Sequence, residues 1–561
     1  MRVWDLISIL VAASLSAVPG AEAGARFSRE ELAAKAREVL SAEPEIQSFK
    51  RAYPGVIFKH PSFVDHTDYQ SFRYHEVFVD KPSSREWEVF GGGVDVHAVP
   101  GSRRVSVGKR LLKWKGQPDL SGLIDPSSLG ARLAQVLGLT APVQENDYSL
   151  SRKLLISGVR ALPVFWVSVK ARALVASPSL RLGGARVVAL DAKSGETIFN
   201  FSLRHHSDAA VPPIQVRDGT AHRLKSKKST DISDDELKAF SEKYKEYCQV
   251  ISTHKDSQGE PLLINPDKCE LVVSEQKDVG HADDSSHRAQ KNMETVLDYF
   301  SSRYGQFGFD NDPAKKTVVA SIVHVGDHFD NAYWDEELSI MAYGDGSHGS
   351  GSAGGTRDYT LALDIAGHEF THAIVSHTAA FAGPGEPGAM NEGFADIFGV
   401  LISRAENKFD NWSIGSRIFD NQDGASDEVA LRSLSRPSRF TTSTTQKGKS
   451  VDLPFPEKYS QRLVSEGECS DDNDQCEVHA NSTIWSHSAY LVDSGLQALG
   501  YKSMEADKMV GQLFFLTLTH RLHENSTMKE AAHEVMAACK DLFGEKECGA
   551  VASAFQQTEL N

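Results

Sequence analysis

The chain has 561 residues, of which 40% are hydrophobic and 24% charged, enough for several buried cores and incompatible with a mainly disordered protein. Its 60 Lys and Arg against 76 Asp and Glu leave a net charge of −16, which argues against general nucleic-acid binding, because that needs clustered positive charge. No apolar run reaches the roughly 18 residues of a membrane-spanning helix, so no membrane partner is expected.

The N-terminus carries Arg2, the apolar stretch Leu6 to Val18 and the pattern Ala21-Glu22-Ala23. Together they read as a secretory signal over residues 1–23, which places the mature chain in an extracellular, oxidising compartment. Residues 26–40 have helical spacing. From Tyr69 to Val99 apolar and polar residues alternate as in strands, with a turn expected at Gly91-Gly92-Gly93. Pro126 to Leu139 suggests a second helix. Val164 to Val169 and Ala185 to Ser202 read as strands, the latter pair joined at Lys193-Ser194-Gly195. A first α+β unit, residues 24–205, is therefore expected. Residues 101–200 hold 15 basic and 6 acidic side chains, a balance of +9 that leaves −25 for the rest of the chain.

Residues 206–232 include Pro212-Pro213 and the basic run Arg223 to Lys228, and read as a linker open to proteolysis. A second large unit follows. It opens with helices at Asp234 to Tyr247 and Ser286 to Tyr304 and an apolar strand at Thr317 to His324. Gly344 to Gly355 reads as a loop, and after residue 361 the spacing is mostly helical. The six cysteines lie in close pairs, Cys248 with Cys269, Cys469 with Cys476 and Cys539 with Cys548. Pairing neighbours closes the shortest loops, which favours three disulfides without excluding other pairings.

The chemistry concentrates in Asp364-Ile365-Ala366-Gly367-His368-Glu369-Phe370-Thr371-His372. His368 and His372, four apart, share one face of a helix and can both ligate zinc, while Glu369 can reach a zinc-bound water. A catalytic zinc needs a third protein ligand and one open position. Glu392, within Asn391-Glu392-Gly393-Phe394-Ala395-Asp396, completes a His2Glu set. Asp396, one helical turn on, can accept the free ring N–H of a ligand histidine.

These motifs resemble the thermolysin family of secreted zinc endopeptidases from about residue 280 to the C-terminus. The resemblance implies an α+β, zincin-type two-lobed enzyme. A β-rich N-terminal lobe (233–380) would carry the active-site helix, and a mainly helical C-terminal lobe (381–561) would follow. It implies one catalytic zinc on His368, His372 and Glu392, with Glu369 as general base and Asn391, Asp396 and Asp474 as supports. His479, in Asp474 to Asn481, would stabilise the oxyanion. Asn331 and Ala332 would hold the substrate backbone, and Arg432 a substrate carbonyl. Ile365 and Leu431 would line an apolar pocket after the scissile bond. The strands near Val89 to Val99 and the segment Arg186 to Glu196 resemble the family's propeptide, so residues 24–205 would assist folding and block the cleft of a monomeric zymogen acting on peptides and proteins.

Two departures stand out. The family usually has a Tyr nine residues before the Glu ligand, where this chain has Gly383, leaving Tyr333 or Tyr359 as other sources of a hydroxyl. The family's double-calcium cluster keeps Asp364, but the other ligand positions read Ser403, Asn411, Ser413 and Ser416. Such neutral donors make that cluster an expected absence. The alternative function is a catalytically silent binding or inhibitory protein of the same fold. The intact set of His368, Glu369, His372, Glu392 and His479 argues against it.

Overall fold

The computed structural model describes residues 27–561 other than 67–68, 99–104, 112, 138–140, 158–159, 170–185, 196, 201–211, 220, 225–232, 253–258, 260, 313–316, 349–354, 382, 408–410, 420–428, 447–448, 466–467 and 471–472. The expected signal segment lies outside the described residues. The chain forms two units, Met1–Arg85 with Gly92–Leu111, and Glu86–Gly91 with Leu112–Asn561.

In the first unit a capping box starts helix α1 (Arg29–Ala42): Ser28 Oγ accepts from the Glu31 N–H, and the Glu31 carboxylate accepts from the Ser28 N–H. Helix α2 is Pro44–Ala52. The strands are β1 (Val56–His66), β2 (Tyr69–Asp80), β3 (Arg85–Ala98, of which Glu86–Gly91 are counted with the second unit) and β4 (Val105–Arg110). Leu32, Ala33 and Ala36 of α1 pack with Phe72 and Val96, which is the buried face that the helical spacing of residues 26–40 predicts. The turn expected at Gly91-Gly92-Gly93 is not there. Those glycines lie inside β3, and the chain reverses at Lys81 to Ser84, where Ser84 has φ 54°. Glycine tolerates an extended strand as readily as a turn, so the run alone could not choose between them.

The second unit continues with α3 (Leu129–Leu137) and an antiparallel succession of β5 (Tyr148–Ser157), β6 (Arg160–Val169), β7 (Arg186–Asp191) and β8 (Thr197–Asn200). Then come β9 (Ile214–Asp218), β10 (Ala221–Leu224), α4 (Asp234–Tyr244), β11 (Gln249–Ser252) and β12 (Pro261–Ile264). They are followed by β13 (Glu270–Ser274), β14 (Lys277–Asp278), α5 (Asp284–Tyr304), β15 (Val319–Val325), β16 (Ala332–Asp335) and β17 (Ile340–Gly344). Six of these strands form one sheet in the order β14-β13-β9-β15-β17-β16. This corrects the linker expected over 206–232 at Ile214–Asp218, because β9 lies between β13 and β15 with Ile214 and Val216 buried; residues 206–211, 220 and 225–232 lie outside the described residues. Two alternating apolar residues next to Pro212-Pro213 were too short a signal to read as a strand. β16 ends the sheet and exposes an edge toward the cleft.

Helix α5 buries Ala289, Met293, Val296, Leu297, Phe300 and Tyr304, a stripe of three- and four-residue steps. It packs against α6 (Leu363–Ser376), as in the ring contact of Phe300 with Phe370. The chain then runs through α7 (Glu386–Asn407), the short strands β18 (Ser413–Ile414) and β19 (Arg432–Ser433), and the hairpin β20 (Thr441–Gln446) and β21 (Lys449–Pro454). It ends with α8 (Asp474–Ala498), α9 (Ser503–His520), α10 (Met528–Leu542) and α11 (Glu545–Gln557). The three neighbouring cysteine pairs are disulfides. No helix among the described residues is long and apolar enough to cross a membrane.

His324 interrupts β15 with φ 58°, where the pairing of β15 with β17 shifts register. Its Nδ1 lies 2.8 Å from Asp345 Oδ1 and its Nε2 2.9 Å from Asp283 Oδ2, the residue that caps α5. The Asp345 hydrogen bond outweighs burial and pushes the imidazole up to about 9. A group raised from its unfolded value of about 6.5 contributes its full stability below that pH and loses it as pH rises through 9. His324→Asn, which tolerates the left-handed backbone, should flatten this dependence. Denaturant unfolding of the wild type should show up to about 3 kcal/mol lost between pH 6.5 and 9.5, beyond any loss in the variant. Parallel curves for the two proteins would refute the assignment.

Candidate active site

Two glycines set the separation of the helices that carry the site. A Cβ on Gly367 of α6 would stand 2.9 Å from Ile402 Cδ1 and 3.1 Å from Gly399 Cα, and one on Gly399 of α7 would stand 2.4 Å from the Asp364 carbonyl oxygen. Only glycine permits this approach, which brings the histidines of α6 to the glutamate of α7. His368 Nε2 and His372 Nε2 are 3.0 Å apart. They lie 3.3 Å from Glu392 Oε2 and 3.5 Å from Glu392 Oε1, respectively. Tetrahedral ligands about 2.1 Å from a zinc ion would be roughly 3.4 Å apart, so the three donors fit a single ion. Glu392 Oε2 is buried and makes no hydrogen bond, as suits an acceptor reserved for a cation.

Each of the two histidines has a support. Asn391 Oδ1 is 2.9 Å from His372 Nδ1, and Asp396 Oδ1 makes an ion-pair contact of 3.0 Å with His368 Nδ1. Burial disfavours charge on His368, but Asp396, Glu392 and Glu369 more than offset it and push the metal-free imidazole up to about 10. Desolvation also opposes the Glu392 charge, yet the surrounding histidines hold its carboxyl well below the usual range. A bound metal would therefore have to displace a proton here. Arg432 donates to Asp396 through Nε at 2.9 Å and Nη2 at 2.7 Å, a bidentate pair buried beneath the ligands.

His479 approaches from α8, with Nε2 3.4 Å from Glu392 Oε2. Asp474 holds it twice, accepting from the His479 backbone N–H at 2.9 Å and meeting Nδ1 at 2.5 Å. The Glu392 charge, with help from Asp474, raises its pKa. Asp474, Gln475, Cys476 and Glu477 all have positive φ, between 50° and 68°. This left-handed turn is tied down at three points. Cys476 is bonded to Cys469, the Gln475 carbonyl accepts from Gly385 N–H at 2.9 Å, and the Glu477 carboxylate accepts from Thr444 and Ser465.

His368, His372, Asn391, Glu392, Arg432 and His479 line a cavity of about 410 Å³. Asn331, Ala332, Ile365, Leu431 and Glu369 line it too, so the structure gathers the predicted substrate-binding positions with the ligand set. Asp396 and Asp474 stand behind the lining. Sequence reading missed Glu336, Ser376 and Ile414 as lining residues; Tyr333 and Trp334 fall in the segment 331–334 that resembles the family's substrate-holding edge strand, and Tyr359 was named only as a possible hydroxyl donor. None of the three missed residues carries a motif. Gly383 has φ 75° and open space where a side chain would begin.

The positions corresponding to the family's double-calcium cluster also meet. Asp364, Ser403, Asn411, Ser413 and Ser416 surround a cavity of about 20 Å³, joined there by Arg404 and Arg417. Asp364 is buried and accepts from the Gly415 N–H at 2.7 Å.

Residues 219–376 match the thermolysin metallopeptidase catalytic domain and residues 379–560 the thermolysin metallopeptidase alpha-helical domain. The chain belongs to the thermolysin family of metallopeptidases. It is 30% identical over 272 residues to neutral protease NprE of Bacillus pumilus, covering 48% of this chain and 76% of that protein. With bacillolysin of Bacillus caldolyticus it shares 30% identity over 264 residues, 46% of this chain and 42% of the relative, so the alignment spans less than half of that protein's length. Among solved structures, the precursor of protealysin, a metalloproteinase from Serratia proteamaculans, aligns with a TM-score of 0.44 at 20% identity, over 64% of this chain and 91% of that one.

Proposed function

We propose that the protein is a secreted zinc-dependent endopeptidase made as a zymogen. The observation that carries this is the convergence of His368, His372 and Glu392 on one point, with Glu369 and His479 on the same cavity. Zinc held there would supply Lewis-acid polarisation of the scissile carbonyl and a water of lowered pKa. Glu369 takes the proton from the attacking water and passes it to the leaving amine. His479, oriented by Asp474, donates to the carbonyl oxygen as negative charge develops on it. Arg432 spends Nε and Nη2 on Asp396, which leaves Nη1 for a substrate carbonyl. The edge of β16, at Asn331 and Ala332, pairs with an extended peptide by strand addition, and Ile365 and Leu431 receive an apolar side chain.

Residues 24–205 act as the propeptide, and their basic charge suits an acidic enzyme unit. Since β9 is part of the enzyme's sheet, the maturation cut falls before Pro212. The double-calcium cluster is replaced by Asp364 with neutral hydroxyl and amide groups beside two arginines, a donor set too positive for divalent cations.

One experiment tests both metals. Processed protein should cleave casein, lose activity to a chelator by at least about a hundredfold, and recover on adding zinc without calcium. Chelator-resistant cleavage would refute the zinc mechanism, and recovery that required calcium would refute the replacement of the cluster.

A further inference from the structure

The carboxylates lining the cavity are Glu369, Glu392 and Glu336. The first two belong to the ligand site, and the third stands apart from it, just past the end of β16. β16 is the edge of its sheet, and its register fixes which backbone groups are open. The Gly344 N–H donates to the Asn331 carbonyl at 2.9 Å, so by alternation Asn331, Tyr333 and Asp335 turn their backbone groups to β17. The Ala332 C=O and the Trp334 N–H and C=O then face the open edge, while the Ala332 N–H donates to Asn331 Oδ1 at 2.9 Å.

Phe309 gives this edge its direction along the cleft. Its ring lies 5.2 Å from that of Trp334 and 4.9 Å from that of His377, the residue after the last turn of α6. Along α6, Ile365 comes first, then the ligand histidines, then Ser376, and all of them line the cavity. Ile365 and Ser376 are separated by roughly 16 Å of helix. Trp334 thus stands at the end of α6 away from Ile365. A peptide whose residue after the scissile bond sits at Ile365 lays the residues before that bond along Trp334 and on towards Glu336.

We propose that Glu336 selects substrates carrying a basic side chain two to four residues before the scissile bond. The inference rests on the endopeptidase reading above. Glu336 is four strand steps, about 13 Å, beyond Ala332, within reach of a long side chain from an extended peptide paired to this edge. Its neighbours do not share the task. Asp335 is engaged in the turn, where it accepts the Leu338 N–H at 2.9 Å, and Glu337 is not among the lining residues. Glu336 is exposed, and its carboxylate makes no hydrogen bond or ion pair with a described residue, so a substrate cation displaces no existing partner. A guanidinium can meet it through two parallel hydrogen bonds. Because the pair stays in contact with water, the preference is modest and sensitive to salt.

The test uses peptides with Leu after the scissile bond and either Arg or citrulline, its neutral isostere, at the second, third or fourth residue before it. Wild-type enzyme should show kcat/KM about three- to fivefold higher for Arg at one or more of these positions, the upper part of what one exposed charge pair is worth. Glu336→Gln should bring that ratio to within about 1.5-fold of unity while citrulline peptides are cleaved within about twofold of wild type. Glu337→Gln should keep the preference. In 1 M salt, where the Debye length is about 3 Å, the wild-type preference should fall at least by about half. A wild-type ratio below about 1.5 at all three positions overturns the proposal, as does a ratio that Glu336→Gln or salt leaves unchanged. Loss of the preference in Glu337→Gln to the same extent also overturns it, since the charge of the turn and not Glu336 would then be responsible. Zinc-loaded wild-type protein that cleaves neither these peptides nor casein defeats the endopeptidase reading itself, whereas cleavage with the wrong ratios defeats only the role of Glu336.

Discussion

Glu369→Gln is expected to keep its metal and lose about 10²–10⁴ in kcat/KM. Glu369 lies on α6 between the two histidines, is 6% exposed and faces the cavity. It is not one of the three converging donors, so zinc content measured by atomic absorption should match wild type. The amide has the same shape, so packing in the helix is undisturbed. What it lacks is a basic oxygen able to take the proton from water and return it to nitrogen. Binding of a peptide inhibitor should survive while turnover fails. Equal zinc content with activity within about tenfold of wild type would remove Glu369 from the reaction.

His479→Ala should cost about 10³ or more in kcat/KM, at or beyond the upper end of the 10²–10³ that one oxyanion donor is worth. Relatives with a Tyr at the position of Gly383 are expected to share the task between two side chains. Here that position has no side chain, and Gly383 is not among the residues lining the cavity. Tyr333 and Tyr359 do line it, and both are kept neutral by burial. Thr356 donates to the Tyr359 hydroxyl oxygen at 3.4 Å, which leaves the phenolic proton unspent, so both tyrosines are candidate donors. A loss of less than about tenfold, with zinc content verified, would show that another group covers the oxyanion. Asp474→Asn offers a graded companion, since it keeps a hydrogen bond to His479 but removes the charge behind it.

The metal-ligand geometry was legible because it is helical. Four-residue spacing in His368 and His372, and again in Glu392 and Asp396, places side chains on one face whatever surrounds the helix. How close the two helices come was not legible: it depends on Gly367 meeting Gly399, two small residues in different helices. The pairing of Arg432 with Asp396 was hidden for the same reason, since both roles read from sequence pointed elsewhere, Arg432 to substrate and Asp396 to a histidine. β9 went unseen because two buried residues are too few to show a period, and the turn at Gly91 to Gly93 was misplaced because glycine permits both outcomes. The segment Asp474-Gln475-Cys476-Glu477 has no glycine or asparagine to announce a left-handed backbone. Its conformation comes from tertiary partners that lie far away in sequence.

That turn separates two properties usually bound together. Each left-handed residue without glycine carries a backbone cost of about 1–2 kcal/mol, here met by a cross-link, a buried carboxylate and a carbonyl contact, none of them on a ligand-bearing face. The helices that carry His368, His372 and Glu392 use ordinary geometry, while the piece that aims His479 is held like a drawn spring beside them. Turnover and ion affinity therefore have separate adjusting screws. Substitutions between Ser470 and Glu477 would move His479, exchanging its placement for conformational stability, and leave the helical spacing of His368, His372 and Glu392 as it is.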